Sequence, residues 1–279
     1  MFKKLAAAAA AMAVLGWASA SSAGNVFLTG HDPDFHAQGQ ASGQNQLNIM
    51  LNYVTGGTYN TGAKKFLWVE SFDAPTSGHR VGEAGLTSIG LVQGVNFDWV
   101  DATGLAALSN FSGYSAIAVA SDFGGMLTDA EIQGLTNRKT DIANFVNGGG
   151  GLLALAECGV GFGNCISDLV TPTTPLFGFV PVGVSSADTT APYTVTPFGA
   201  SLGLTNADVD DCCTHNSFAN AAGLNVVDFD QTGIPTSLAG NVTIGGGGFG
   251  VPEPATWLMM ILGFGSVGLA MRRPRTALA

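Results

Sequence analysis

Basic residues are scarce in this chain. Lysine and arginine together number 10, against 20 aspartate and glutamate residues, in a chain of 279 residues. Half of the basic residues stand in the two terminal segments: Lys3, Lys4, Arg272, Arg273 and Arg275. Residues 24–250 keep five basic and nineteen acidic residues, a net charge of −14. Because so acidic a surface repels nucleic acid, and repels anionic polysaccharide unless divalent cations bridge the two, we expect no nucleic-acid partner.

Long apolar runs are confined to the two ends. Two lysines precede the alanine-rich stretch Leu5–Trp17, and the small residues Ala18–Ala23 follow it. A charged start, a short apolar run and small residues before a cleavage point are typical of a signal peptide. We predict a signal peptide over residues 1–23, cut by signal peptidase after Ala20 or Ala23. A retained anchor is the alternative, but the run is short for a membrane span.

The C-terminal segment has three parts in a fixed order. They are the motif Val251, Pro252, Glu253 and Pro254, an apolar run of 17 residues over 255–271, and the arginines Arg272, Arg273 and Arg275. The prolines disfavour a helix and keep the motif extended and open to a peptidase. The apolar run reaches the lower length limit of a transmembrane helix, and the arginines hold the C-terminus in the cytoplasm.

This tripartite segment resembles the PEP-CTERM sorting signal of Gram-negative bacteria that produce exopolysaccharide. The resemblance implies recognition of residues 251–275 by exosortase, a membrane protease that processes the exported chain at the motif. It also implies a transient anchor in the inner membrane, followed by release to the cell surface or extracellular matrix. Exopolysaccharide of that matrix is a further candidate partner.

Cysteine is rare, and all four cysteines lie in the part predicted to be exported. They are Cys158, Cys165, Cys212 and Cys213. An even number in an oxidising compartment favours disulfides. A bond between the adjacent Cys212 and Cys213 would be strained, which leaves the two pairings that join the 158–165 loop to the 212–213 loop. A zinc site is disfavoured because there is no CxxC pair and only His215 lies nearby.

Between the terminal segments, apolar strands alternate with helical patterns. Strands are predicted at 26–28, 65–69, 96–100, 115–120 and 152–156, and helices at 46–54, 79–92, 104–108 and 128–146. Thr128 and Glu131 form a capping box at the start of the last helix. After Ile166 the pattern loosens into strands at 179–184, 193–196, 224–229 and 242–244. Repeated β-α-β units predict one α/β domain over 24–244, with a doubly wound, mostly parallel sheet and a looser β-containing C-terminal part. A glycine-rich linker follows at 245–250.

The order of these segments resembles the class I glutamine amidotransferase-like fold, a flavodoxin-like arrangement. The likeness rests on the strand and loop at 114–125, the capped helix, and the glycine-rich turn and strand at 148–158. It implies that the loop after the fifth strand is a nucleophile elbow. Cys158 stands at the elbow position, and the segment 214–218, with His215, resembles the segment that supplies a histidine base.

A Cys-His pair works because the imidazole takes the thiol proton. Three features argue against it here. Ala156 and Val160 stand where the elbow has glycines, Glu157 would raise the pKa of a neighbouring thiol, and a disulfide on Cys158 would remove the nucleophile. Cys158 and His215 therefore remain candidates, with a structural cysteine as the favoured reading.

Ligands of doubly wound sheets bind beyond the carboxyl ends of the strands, where three loops should meet: 31–36, 121–125 and 157–163. The first offers possible metal ligands, namely His31, Asp32, Asp34 and His36, although a solvated polar loop is the more ordinary reading. We expect His31, Asp122, Glu157 and His215 to lie close together. Asp208, Asp210 and Asp211 lack the glycine-bearing spacing of an EF-hand, so a solvated acidic loop is favoured there. Gly148–Gly151 follows a helix, whereas a phosphate-binding loop precedes one, and no cofactor is expected.

The sequence thus predicts an exported, acidic surface or matrix protein that uses its α/β domain for binding or structure without catalysis. The alternative is an extracellular hydrolase that acts on an amide or on sugar-linked material at the same loops.

Overall fold

The computed structural model describes residues 23–72, 82–122, 127–155, 176–180, 182, 184, 186–187, 189–210 and 214–244. All of these belong to one compact unit, Ser21–Gly245. The predicted signal peptide, apart from Ala23, lies outside the described residues, as do the predicted linker, the segment 251–275 and the four cysteines. Among the residues described, none forms a helix of the length and apolarity needed to cross a membrane.

The strands of the described part are numbered in chain order. They are β1 (Asn25–Thr29), β2 (Phe66–Val69), β3 (Phe97–Val100), β4 (Ala116–Val119), β5 (Gly151–Leu155), β6 (Ser186–Ala187), β7 (Thr194–Val195), β8 (Ser217–Phe218), β9 (Asn225–Phe229) and β10 (Pro235–Asn241). The helices are α1 (Pro33–His36), α2 (Ala41–Val54), α3 (Gly82–Ser88), α4 (Ala102–Ala107), α5 (Asp129–Asn137), α6 (Lys139–Asn147), α7 (Pro197–Leu202) and α8 (Asn206–Val209), with a 3-10 turn at Leu176–Phe179.

Eight strands form one sheet in the order β3-β2-β4-β5-β1-β10-β9-β7, and β6 pairs with β8. The five strands β1 to β5 are parallel, while β10 runs antiparallel to both β1 and β9. The sequence prediction of an α/β fold with a mostly parallel sheet is confirmed. Parallel strands need crossover connections, and the helices between them supply these connections.

Each face of the sheet carries its own apolar core, as the two-residue period of a strand requires. In β1, Val26 and Leu28 point to a core completed by α5 and α6, and Phe27 points to one completed by α2. In β4, Ile117 belongs to the first core and Ala118 to the second. All of these side chains are fully buried, so helices cover both faces and the sheet is doubly wound.

Several features of the secondary structure differ from the sequence prediction, and the larger ones are as follows. The strand β10 was not predicted. The strand expected at 242–244 is irregular, and Leu176–Phe179 is a 3-10 turn where a strand was expected from 179. The helix expected over 128–146 is two helices that meet at Arg138, where the backbone leaves helical geometry at φ −102° and ψ 14°.

The predicted capping box at the start of α5 is present. The Thr128 hydroxyl accepts from the Ala130 N–H at 3.2 Å, and Glu131 Oε2 accepts from the Thr128 N–H at 2.8 Å. Glu131 is buried, and its Oε1 accepts from the Ala102 N–H at 2.9 Å, which ties α5 to the start of α4. The cap therefore stabilises the contact between two helices as well as one helix end.

Replacing Thr128 with alanine should lower the free energy of unfolding by about 1 kcal/mol, the usual cost of losing an N-cap hydroxyl. The matched control is Thr103→Ala at an exposed position of α4, which removes a similar hydroxyl without removing a cap. Denaturant unfolding of the two variants measures the difference. Equal stability of both variants would contradict a capping role for Thr128.

Candidate functional site

A close contact between two backbone segments begins the candidate site at the carboxyl end of β1. His31 forms an isolated antiparallel bridge with Thr214, and the His215 N–H donates to the Gly30 carbonyl at 2.9 Å. A Cβ atom on Gly30 would lie 1.7 Å from the Asn216 carbonyl oxygen, so only glycine permits this approach. The segment 214–216 is thereby held beside the end of the central strand.

The His31 ring lies inside the protein, with 1 % of the residue exposed and both nitrogens engaged. Nε2 lies 2.7 Å from Asp228 Oδ2, and Nδ1 lies 2.5 Å from Thr214 Oγ1. The Tyr193 ring meets the imidazole edge-on, with 5.6 Å between centroids. The imidazole therefore joins β1, β9 and the 214–216 segment.

The carboxylate of Asp228 is held by a second donor from β10. The Thr236 hydroxyl donates to Asp228 Oδ2 at 2.5 Å, and both residues are fully buried. The pairing of β9 with β10 shifts register on either side of Ser237, and such a bulge changes the direction in which a side chain points. Beside it, Ser237 Oγ lies 2.8 Å from Thr29 Oγ1. The carboxyl edge of the sheet thus holds a buried polar cluster, which comprises Thr29, His31, Thr214, Asp228, Thr236 and Ser237.

Within this cluster, an acid, an imidazole and a hydroxyl are connected in series. When Nε2–H donates to Asp228, Nδ1 of the neutral ring accepts from the Thr214 hydroxyl. This connectivity can activate a hydroxyl nucleophile when substrate reaches it. Only 8 % of Thr214 is exposed, however, and the buried carboxylate already has two donors. The arrangement favours structural cross-linking of strands over reaction with a substrate.

Asp34 connects the loop after β1 to the loop after β4. Its carboxylate accepts from the Ser121 N–H and from the Ser121 hydroxyl, both at 2.9 Å. Burial raises the pKa of Asp34 to about 6, and the nearby Asp32 adds to the rise, while the hydrogen bonds from Ser121 oppose it. Asp122, directly after Ser121, is fully buried at the same edge of the sheet.

The four possible metal ligands of the 31–36 loop have separate contacts. His31 contacts Asp228 and Thr214, and Asp34 contacts Ser121. Asp32 and His36 pair with each other at 3.0 Å, one helical turn apart. Within the described ranges, no group of three or more His, Cys, Asp or Glu side chains is arranged to hold a metal ion. The loop therefore lacks a common coordination point for the four side chains.

The two described acids of the 208–211 loop are bonded to their own surroundings. Asp208 Oδ2 accepts from the N–H and the hydroxyl of Thr205, both at 2.7 Å, which caps α8. Asp210 Oδ1 accepts from the Tyr193 N–H at 3.1 Å. These acids orient backbone at the start and the end of a short helix, and Asp211 lies outside the described residues.

His215, the candidate base, lies at the carboxyl edge where the sequence placed it. It is bonded through its backbone to Gly30, and Leu155, the last residue of β5, pairs with Thr29 immediately before that glycine. Glu157, Cys158 and Cys165 follow Leu155 and lie outside the described residues, as do Cys212 and Cys213. Leu155, Thr214 and His215 therefore all contact residues 29–31, at the end of β1 and in the loop that follows it.

Sequence reasoning missed Asp228, Thr236 and Ser237. Asp228 stands inside an apolar strand, and a buried acid in that position is itself a signal, because its charge requires a partner. The partner was His31, nearly two hundred residues earlier. The pairing became visible only with β10, which places Thr236 and Ser237 between β1 and β9.

Asp34 predicts a defined pH dependence of stability. Its folded pKa of about 6 lies above the ordinary value of 3.8, so the folded state binds the extra proton between these values. The contribution of Asp34 to stability should fall as pH rises from about 4 to about 6, and stay constant above 6. Asp34→Asn keeps an oxygen acceptor for Ser121 and removes the titration. Denaturant unfolding of the wild-type protein and of Asp34→Asn across this pH range measures the difference between their free energies of unfolding. A difference that does not change with pH would contradict the raised pKa of Asp34.

Comparison with known proteins gives a match for the C-terminal segment. The family model for the PEP-CTERM protein-sorting motif matches residues 250–275. No curated protein matches the chain, and no solved structure matches it. The predicted sorting motif is confirmed, whereas the likeness of the domain to glutamine amidotransferases remains a prediction. The chain carries the sorting segment of an exported protein that exosortase directs to the cell surface.

Proposed function

We propose that the chain is a binding or structural module of the cell surface or extracellular matrix that performs no catalysis. Its parts are a signal peptide at 1–23, the α/β domain at 24–244, a glycine-rich linker at 245–250 and the sorting segment at 251–275. Signal peptidase removes the first part, and the helix of 255–271 anchors the exported chain in the inner membrane for a time. Exosortase then acts at the Pro-Glu-Pro motif.

One observation carries the non-catalytic part of the proposal. The titratable side chains best placed for chemistry at the carboxyl edge are buried and bonded to other parts of the domain. His31 uses both ring nitrogens for contacts within the fold, and Asp34 is bonded to Ser121. A catalytic acid or base must instead reach a proton of the substrate. The buried polar cluster supports a role in fixing the strands and loops.

The sorting step has a direct test in the mass of the mature protein. Protein from the surface of the native host should end between Val251 and Pro254, because the protease acts at that motif. Protein from a host without the sorting protease should keep the apolar run and its arginines. Mass spectrometry of the C-terminal peptides distinguishes the two. Peptides that extend through Arg275 in native surface material would contradict the proposal.

A hydrolase with Cys158 as nucleophile and His215 as base is the second candidate. The observation that favours it is the position of His215 beside Gly30, one residue beyond the pairing of Thr29 with Leu155. Cys158 is three residues from Leu155 in sequence, so the chain can bring it to this edge. The same positions favour a disulfide, because Thr214 follows Cys213 and borders His31.

A thiol assay separates these candidates. The folded exported protein should contain no free thiol and two disulfides that link Cys158 or Cys165 to Cys212 or Cys213. Removing one bridge should lower the free energy of unfolding by roughly 2–4 kcal/mol, because the unfolded chain gains freedom. Non-reducing peptide mapping identifies the pairs. Four free thiols would refute the disulfides, and a reactive free Cys158 would support the hydrolase.

A further inference from the structure

An open cavity of about 700 Å³ lies at the amino-terminal edge of the sheet, opposite the buried polar cluster. Lys64, Ser115 and Gly150 line it and stand just before β2, β4 and β5. Its volume falls within the range of sites that hold small organic ligands. None of its lining residues belongs to the buried polar cluster.

One wall of the cavity is a face of the helix α6. Asp141, Asn144 and Phe145 line the cavity, and they follow the three- and four-residue spacing that places side chains on one side of a helix. The loop before β4 supplies further lining residues, among them Asn110 and Ser112. The lining is therefore rich in amide and hydroxyl groups, and it includes two aromatic rings, those of Phe111 and Phe145.

The aromatic part of the cavity is held in place by Arg138. The guanidinium lies over the Phe111 ring, 4.1 Å from its centroid, and Nε donates to Asp141 Oδ2 at 3.1 Å. The Phe111 and Phe145 rings meet at an angle of 62°, with 6.0 Å between centroids. Arg138 thus packs on one aromatic ring of the lining and pairs with the Asp141 carboxylate, whose side chain is 55 % exposed.

Charge and backbone pairing limit the ligand class. Among the described residues that line the cavity, Lys64 and Asp141 are the charged ones, and they are of opposite sign. A single lysine in a domain of charge −14 is poorly suited to a phosphate or an anionic polysaccharide. A peptide that binds as an added strand would need an open strand edge, yet β2, β4 and β5 are paired on both sides. The near-balanced charge and the polar lining suit a neutral ligand with many hydrogen-bonding groups.

We propose that this cavity binds a short neutral oligosaccharide. Each sugar hydroxyl can both donate and accept, and the exposed Asn144 amide offers both kinds of partner. Asn110 Oδ1 already accepts from the N–H and the hydroxyl of Ser112, at 3.0 and 2.5 Å, so this pair offers fewer open groups. The half-buried Phe145 offers an apolar surface to the carbon-bearing face of a sugar ring. The inference rests on the proposed function, because it supplies the ligand of a non-catalytic binding module.

Binding should be measured on the exported full chain in mild detergent, so that the result is independent of C-terminal processing. The probes are three neutral sugars, maltotetraose, cellotetraose and tetra-N-acetylchitotetraose, each titrated by calorimetry, with analysis of the sugar afterwards. Asn144→Ala removes an exposed amide from the helical wall, and Ser112→Trp fills the cavity from its exposed rim. Asn137→Ala, at an exposed position of α5 outside the cavity, is the matched control.

At least one tetrasaccharide should bind, with affinity reduced tenfold or more by both cavity variants and unchanged by Asn137→Ala. Absence of binding to all three sugars, or binding that both cavity variants retain, would overturn the assignment. The proposed function fails in a different way. If the protein shortens a bound tetrasaccharide, the non-catalytic role is wrong. If the cavity variants then lose this shortening activity, the cavity is still supported as the sugar site.

Discussion

The position of β1 between a parallel and an antiparallel neighbour is the constraint on which the rest of the structure depends. Both of its edges are hydrogen-bonded and both of its faces are packed. At its carboxyl end the chain must leave a fully enclosed strand, and the first side chain after Gly30 is His31. Because the imidazole cannot reach water there, it needs partners within the protein. Asp228 and Thr214 provide them and bring β9 and the 214–216 segment to the same point.

The buried polar cluster explains why the carboxyl edge is polar without being an open site. A buried carboxylate is costly unless hydrogen bonds compensate for lost water, and Asp228 receives two such bonds on one oxygen. Asp34 has a similar arrangement with Ser121, and burial raises its pKa to about 6 against the opposing effect of these hydrogen bonds. The polar groups therefore hold the loops together, and the cavity suited to a ligand lies at the other edge of the sheet.

The parallel part of the fold could be predicted because its strands carry a local signal. The strands β4 and β5 are continuous apolar runs, as strands buried on both faces must be, and the capping box marked the start of α5. The strand β10 carried no such signal, because Pro235–Asn241 contains small and polar residues with Leu238 as its largest apolar side chain. Its burial comes from its place between β1 and β9, which is a tertiary effect.

The same distinction applies to the candidate site. The sequence placed the 31–36 loop and His215 at the carboxyl edge, since topology brings strand ends together. The individual partners of His31 depended on the bulge in β10 and could not be inferred from spacing. The four acidic and histidine side chains of the 31–36 loop were possible metal ligands in the sequence. In three dimensions His31 is bonded to Asp228 and Asp34 to Ser121, while Asp32 and His36 pair with each other.

The central claim is that His31 is a structural cross-link enclosed within the fold. Solvent exchange of its Nε2–H proton in the folded exported protein, followed by NMR with nitrogen-labelled histidine, tests this most directly. The account predicts that the proton is protected as well as the amides of β1, and far better than the ring protons of the more exposed His36, whose side chain is 12 % accessible. Rapid exchange at His31, equal to that at His36, would show an accessible imidazole and contradict the account.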